Sequence, residues 1–123
     1  MENQLLKSGE QYLRLTHRNQ IPTNEIIYLE SEINYTKIYT SDNQRHISSF
    51  TLKKLESRII QSNFLRINRG CLVNLKHITE ISGFKRNAHA KLTNGLILQI
   101  SRRKFDTIAN ILPERILTSK KPI

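Results

Sequence analysis

Apolar residues recurring at every second position, in runs too short for helices, constrain this chain more than any other feature. Ala88, Ala90 and Leu92 form one such set, and Leu96, Leu98 and Ile100 form another. Thr93-Asn94-Gly95 lies between them. Strands that pair must point their apolar side chains to the same face. A two-residue Asn94-Gly95 loop would set Leu92 against Ile97 and split the two sets. A three-residue loop sets Leu92 against Leu96 and Ala90 against Leu98, which unites them. The sequence therefore predicts a three-residue hairpin with Gly95 in the left-handed region.

Other segments read the same way. Tyr12 to His17 alternates and predicts a strand, and Asn19 to Asn24 has the composition of a loop. Ile26 to Glu30 and Tyr35 to Thr40 predict two further strands. In the second of these, Thr36, Ile38 and Thr40 share one face, and Tyr35, Lys37 and Tyr39 the other. Ser41-Asp42-Asn43 is a turn, from which Arg45 to Ser48 returns. Ile78 to Phe84 is a strand. Asn63-Phe64-Leu65-Arg66-Ile67-Asn68-Arg69-Gly70 leads into an apolar patch, Cys71-Leu72-Val73.

Helical spacing occurs twice. Leu52, Leu55, Ile59 and Ile60 repeat over about 51–61, with Thr51 as N-cap. Phe105, Ile108, Ile111 and Leu112 form the stripe of a second helix, capped by Ser101 and ended by Pro113. The expected fold is mainly β, with short strands and two short helices. A flexible segment over 1–11 precedes one domain over 12–112, and a tail over 113–123 follows it.

With 123 residues there is room for one domain. Its 37 Leu, Ile, Val and Phe residues suffice for a modest core. No apolar run approaches the roughly 20 residues of a membrane span. Residues 1–10 lack the apolar stretch of a signal peptide. Cys71 is the single cysteine and has no intramolecular partner. A cytoplasmic location fits these features.

The net charge is +10, and it is not evenly spread. Residues 1–61 hold 8 basic and 7 acidic residues; residues 62–123 hold 12 basic and 3 acidic ones. A positive field concentrated in one half points to a polyanion such as DNA, RNA or an anionic membrane surface. Catalysis finds little support. Acidic residues are scarce where basic ones are dense, which disfavours a metal-dependent nuclease. His17, His46, His77 and His89 lie far apart, without Cys/His metal spacing. Cys71, between Gly70 and Leu72-Val73, fits a small buried hydrophobe better than a nucleophile. Neither a cofactor nor a metal is expected.

Two basic clusters stand out. In Arg66-Ile67-Asn68-Arg69, Arg and Asn are the side chains suited to bidentate contacts with guanine and adenine; a plain solvated loop is the competing explanation. In Ser101-Arg102-Arg103-Lys104, three cations fall at a predicted helix N-terminus, where the helix dipole disfavours them. An anion such as a phosphate would complete that arrangement. A third segment, Glu30 to Lys37, carries Asn34, Tyr35, Thr36 and Lys37, which are able to contact bases but equally at home in an ordinary hairpin corner.

The order of these pieces resembles the LytTR DNA-binding domain of bacterial transcription regulators. Ile26-Ile27-Tyr28-Leu29-Glu30-Ser31, Tyr35 and Ile38-Tyr39-Thr40 resemble its opening, and Thr51-Leu52-Lys53-Lys54-Leu55-Glu56 follows in order. Phe64 to Ile78 is similar to the family signature F-x-R-x-H-R-S-x-x-V-N-x-x-x-I. Asn94-Gly95 and Ile100-Ser101-Arg102-Arg103 complete a likeness that covers about residues 12–112. Asn68 departs from the common His of the signature, and Gly70 from its common Ser.

The resemblance implies an elongated β-β-β sandwich that binds double-stranded DNA through loops in the major groove. Its contacts would come from Asn34, Tyr35, Thr36 and Lys37; from Asn68 and Arg69; and from Arg102 and Arg103. Arg69 and Arg102 are the expected base readers. Lys37, Arg66 and Arg103 are the expected phosphate anchors, with Lys53 and Lys54 as secondary ones. Many members carry a receiver domain, for which this chain has no room, so it is expected to be a stand-alone regulator or the DNA-binding part of a response regulator. The resemblance further implies tandem direct repeats in promoters, with two copies pairing on DNA, and leaves a place for a regulatory partner protein. A small basic RNA-binding β domain is the alternative; it would need exposed aromatics for stacking, and only Tyr35 and Tyr39 are candidates.

Overall fold

The computed structural model of the protein describes residues 11–59 and 63–117. The expected frayed segment over 1–10, Ile60 and Gln61 of the expected first helix, and residues 118–123 of the expected tail lie outside them.

Ile26 to Leu29 is a run of four apolar residues, which suits a strand covered on both faces. It forms most of β3 (Ile26–Ser31), at the centre of a five-stranded antiparallel sheet. The neighbours of β3 are β4 (Thr36–Thr40), followed by β5 (Arg45–Ser48), and β7 (Cys71–Asn74), followed by β6 (Phe64–Asn68). On one face lie the hairpin of β1 (Tyr12–Arg14) with β2 (Gln20–Pro22) and the helix α1 (Leu52–Arg58). They bury Leu13, Leu15, Ile21, Leu52 and Leu55 against Ile26, Leu29, Ile38 and Leu72. On the other face lie a three-stranded sheet and α2 (Arg102–Ile111). That sheet runs in the order β10 (Ile97–Gln99), β9 (His89–Leu92), β8 (Ile78–Ser82). Its core includes Ile27, Tyr28, Ile67, Val73, Ile78, Ala90, Ile100 and Ile108. The molecule is thus mainly β, three β layers deep, with α1 packed on β3 and α2 on β6 of the central sheet.

Two bulges decide which side chains enter which core. Ile26 pairs with Thr40 but Tyr28 with Tyr39, so Ile27 is an extra residue in β3. Ile27 and Tyr28 then both face the three-stranded side. In β6, Arg66 pairs with Leu72 and Asn68 with Cys71, leaving Ile67 as the extra residue, fully buried. Asn74 is buried but satisfied. Its Nδ2 donates to the Ile26 carbonyl at 3.0 Å, and its Oδ1 accepts from Asn63 Nδ2 at 2.8 Å and the Lys76 amide at 3.1 Å.

The expected three-residue hairpin is present. Leu98 pairs with Ala90, the Leu92 amide donates to the Leu96 carbonyl at 2.9 Å, and Gly95 has a φ of 87°. Thr51 and Ser101 cap the helices by accepting from the Lys54 and Lys104 amides. Other expectations change. The first strand stops at Arg14, and the expected loop over Asn19 to Asn24 contributes β2, because Gln20 and Pro22 pair with Arg14 and Tyr12 at a sheet edge that tolerates proline. Residues 64–74, to which the sequence pattern assigns no element, form a hairpin. Ile111 is exposed, leaving Phe105 and Ile108 as the fully buried stripe of α2. The tail expected over 113–123 does not hold for its first five residues. Pro113–Arg115 form a 3-10 turn, Ile116 bridges to Ile81, and the Leu117 amide donates to the Ile81 carbonyl at 2.9 Å.

Candidate nucleic-acid interface

Three connections end at the same rim of the molecule, although they are far apart in the chain. They are the β3–β4 corner, the β6–β7 turn and the junction between β10 and α2. Backbone hydrogen bonds join them: the Ser31 amide donates to the Gly70 carbonyl at 2.8 Å, and the Ser101 amide donates to the Ile67 carbonyl at 2.8 Å. Asn68 adds a third tie, its Nδ2 donating to the Gln99 carbonyl at 2.7 Å.

The turn and the junction enclose a cleft of about 380 Å³ lined by Arg66, Asn68, Arg69, Ser101, Arg103 and Lys104. Its lining holds four cations and no carboxylate. The residues come from two separate sequence clusters, and they meet because the N-cap of α2, Ser101, is bonded to Ile67 of β6. The cleft opens beside the N-terminus of α2, whose first turn contains no acidic residue. Such a site attracts an anion through both the cations and the free amide ends.

Within the cleft the roles differ. Arg66 is held down. Its guanidinium contacts Glu56 Oε1 at 3.2 Å and donates to the Arg69 carbonyl at 2.6 Å. It braces the turn, so the expected role as a free phosphate anchor does not fit its geometry. Asn68 is likewise engaged at both ends of its amide, since its Oδ1 accepts from the Gly70 amide at 2.9 Å. These bonds fix the orientation of the amide and leave one N–H and one lone pair of it unused, which favours a part in holding the turn beside the expected contact with DNA. Arg69, Arg102 and Arg103 carry no side-chain ion pair or hydrogen bond among the described residues, and Arg102 and Arg103 are exposed. Lys104 belongs to the cleft lining as well.

The β3–β4 corner is built differently. The Glu32 amide donates to the Tyr35 carbonyl at 2.8 Å, which places Ile33 and Asn34 at the tip. Lys37 lies between two carboxylates, 3.0 Å from Glu32 and 3.7 Å from Glu30. The Glu32 carboxylate hydrogen-bonded to it holds its ammonium well above the usual lysine range. Its charge is already matched, which weighs against the expected phosphate anchor. Thr36 is fully buried and donates to the Phe50 carbonyl at 2.9 Å, so it does not reach the surface as expected. Asn34 and Tyr35 remain at the rim, lining a hollow with Thr51 and Leu52 at the start of α1. Lys53 and Lys54 follow in that first turn, exposed, with Lys54 Nζ 5.6 Å from the Phe50 ring centre.

Two further sequence questions are answered. Burial pushes the Cys71 thiol up to about 11, with Glu30 adding to the shift, so it is a buried hydrophobe and not a thiolate. Tyr39 stacks on the buried Tyr28, with ring centres 4.6 Å apart and planes 8° from parallel. It is therefore not a free platform for a base, and the RNA-binding alternative loses one of its two aromatics. Glu56 is not legible as a site residue, because only the packing of α1 brings it to Arg66.

A family model described as the LytTr DNA-binding domain matches residues 17–113. No protein of curated function matches the chain. Among solved structures, a LytTr DNA-binding domain from Bacillus cereus superposes with a TM-score of 0.66 at 21% identity, over 84% of this chain and 95% of that one. This likeness is one of fold. The family match runs through all three connections of the rim, and this chain belongs to the LytTR family of DNA-binding domains.

Proposed function

We propose that the rim reads duplex DNA in a sequence-specific way, as part of a bacterial transcription regulator in the cytoplasm. The observation that carries this is the cleft itself: three unmatched cations, Arg69, Arg103 and Lys104, from two distant sequence clusters around one hollow, with no carboxylate in its lining and with Arg66, paired to Glu56, beneath them. Arg103 and Lys104 seat backbone phosphate at the start of α2. Arg69 and Arg102 reach base edges in the major groove, where a guanidinium can bond both acceptors of guanine. Asn34 and Tyr35 approach neighbouring base pairs from the corner, and Lys53 and Lys54 add phosphate contacts beside it. Arg66 and Asn68 hold the turn that presents Arg69.

One copy occupies one short element, and two copies occupy direct repeats spaced by multiples of a helical turn. Inserting five base pairs between repeats rotates one site by about half a turn and abolishes joint occupancy while leaving single-site binding intact. A regulatory partner protein is the remaining element of this scheme, and its site is unassigned.

The test is titration of a duplex, selected from a random library, over a range of salt. Neutralising about 5 to 8 phosphates gives a log–log slope of about −5 to −7. A slope shallower than about −2, or a library that yields no common sequence, refutes the proposal.

A further inference from the structure

Ile33 is the most exposed large apolar residue of the described chain, with 95% of its surface open to solvent. The next, Phe84, is 66% exposed and still packs edge-on against Phe105 at 5.2 Å. Isolated exposed hydrophobics are ordinary on protein surfaces. Ile33 differs in its position. It stands at the tip of a tight turn closed by the Glu32 amide and the Tyr35 carbonyl, where nothing in the fold covers an apolar side chain. The turn belongs to the rim, one hydrogen bond away from the β6–β7 turn through Ser31 and Gly70.

The charge of the corner restricts what it can touch. Glu30 and Glu32 exceed the single cation Lys37 that sits between them, and the nearest unmatched cations, Lys53 and Lys54, stand on α1 beside the corner and not on its tip. Phosphates are therefore poor partners for the tip itself, whereas the flanking cations and the neighbouring cleft attract them. Base edges carry no net charge, and the apolar group they present in the major groove is the 5-methyl of thymine. We propose that Ile33 is a specificity-determining residue that packs on a thymine methyl when the adjacent cleft holds the backbone. The assignment rests on the DNA-reading function proposed above.

The experiment uses the full chain and a duplex selected from a random library. Each thymine is replaced in turn by deoxyuridine, which removes only the methyl group. At one or two positions the replacement weakens wild-type binding about fourfold, the effect of one buried methyl-sized group. The same replacement leaves Ile33→Ala binding unchanged within error, because the methyl has lost its partner. Ile33→Ala keeps the wild-type salt slope and melting temperature, since it removes neither a charge nor a buried contact.

If wild type and Ile33→Ala respond alike to every deoxyuridine, while Arg69→Ala and Arg102→Ala lose base preference, the DNA-reading function stands and the Ile33 assignment falls. If the arginine variants keep every preference as well, the reading of DNA by this rim fails and takes the assignment with it. If Ile33→Ala alters only self-association in sedimentation, the tip is a protein contact and the assignment is likewise overturned.

Discussion

In the cleft beside α2, Arg69, Arg103 and Lys104 surround a hollow with no carboxylate in its lining. At the β3–β4 corner, Lys37 is enclosed by Glu30 and Glu32, and the tip is an exposed isoleucine. Both regions lie on one rim, and both contain residues that look like DNA ligands in the sequence. Their difference teaches that a basic residue contributes to a field only if the fold leaves it unmatched. The cleft is suited to phosphate, and the corner to uncharged base edges.

The largest effects come from the unmatched arginines. Arg69→Ala and Arg102→Ala each weaken binding to a selected duplex by about 1–3 kcal/mol and relax preference at separate base pairs. Competition titrations against single-position variants of the duplex measure this. Equal weakening on every duplex would make both arginines phosphate contacts and blur the contrast with Arg103 and Lys104.

Asn68→Ala comes next. It removes a tie between the β6–β7 turn and β10 and leaves the Gly70 amide and Gln99 carbonyl without their partner. Affinity falls by about 1 kcal/mol, near the net value of a hydrogen bond. Preference relaxes at the base pairs read by Arg69 and Arg102 together, because the spacing between them is no longer held. A loss confined to one new base pair would instead make Asn68 a direct reader.

Lysine substitutions sharpen the comparison further. Lys104→Ala reduces the salt slope by about 1, the signature of one phosphate contact. Lys37→Ala leaves the slope unchanged, because that charge is already matched by Glu32 and Glu30. Equal slope changes would mean that DNA draws Lys37 away from its carboxylates.

The smallest effect is expected at Gly70. Its φ lies outside the left-handed region, and a Cβ there would meet only Asn68 Oδ1, at 3.9 Å. Gly70→Ser therefore changes affinity and melting temperature little, in contrast to a substitution at Gly83. There φ is 80° and a Cβ would fall 2.1 Å from the Asn87 carbonyl oxygen, so the backbone must move. Calorimetry on the two variants separates them.

Much of the framework is readable from local pattern. The Ala90–Leu98 register, the Gly95 turn and the caps Thr51 and Ser101 depend on residues close in sequence, so alternation and capping chemistry identify them. The β6–β7 hairpin was hidden for opposite reasons in its two strands. Arg66 and Asn68 are polar because they serve the rim, and Cys71 to Asn74 are all buried, which leaves no alternation to detect. Similarly, β2 is three residues long and contains a proline, so its pairing with β1 leaves no local signal.

The same division holds for the interface. Local sequence determined which segments carry the cations, where the helices begin and that Cys71 has no disulfide partner. It placed Arg69, Arg102 and Arg103 among the candidates without any knowledge of their neighbours. Only the tertiary structure decided which charges remain available. Glu56 reaches Arg66 through the packing of α1, Thr36 turns inward to Phe50, and Asn68 ties its own turn to β10. Charge and hydrogen-bonding capacity are properties of a residue, whereas their availability depends on partners brought close by long-range packing, which no local pattern encodes.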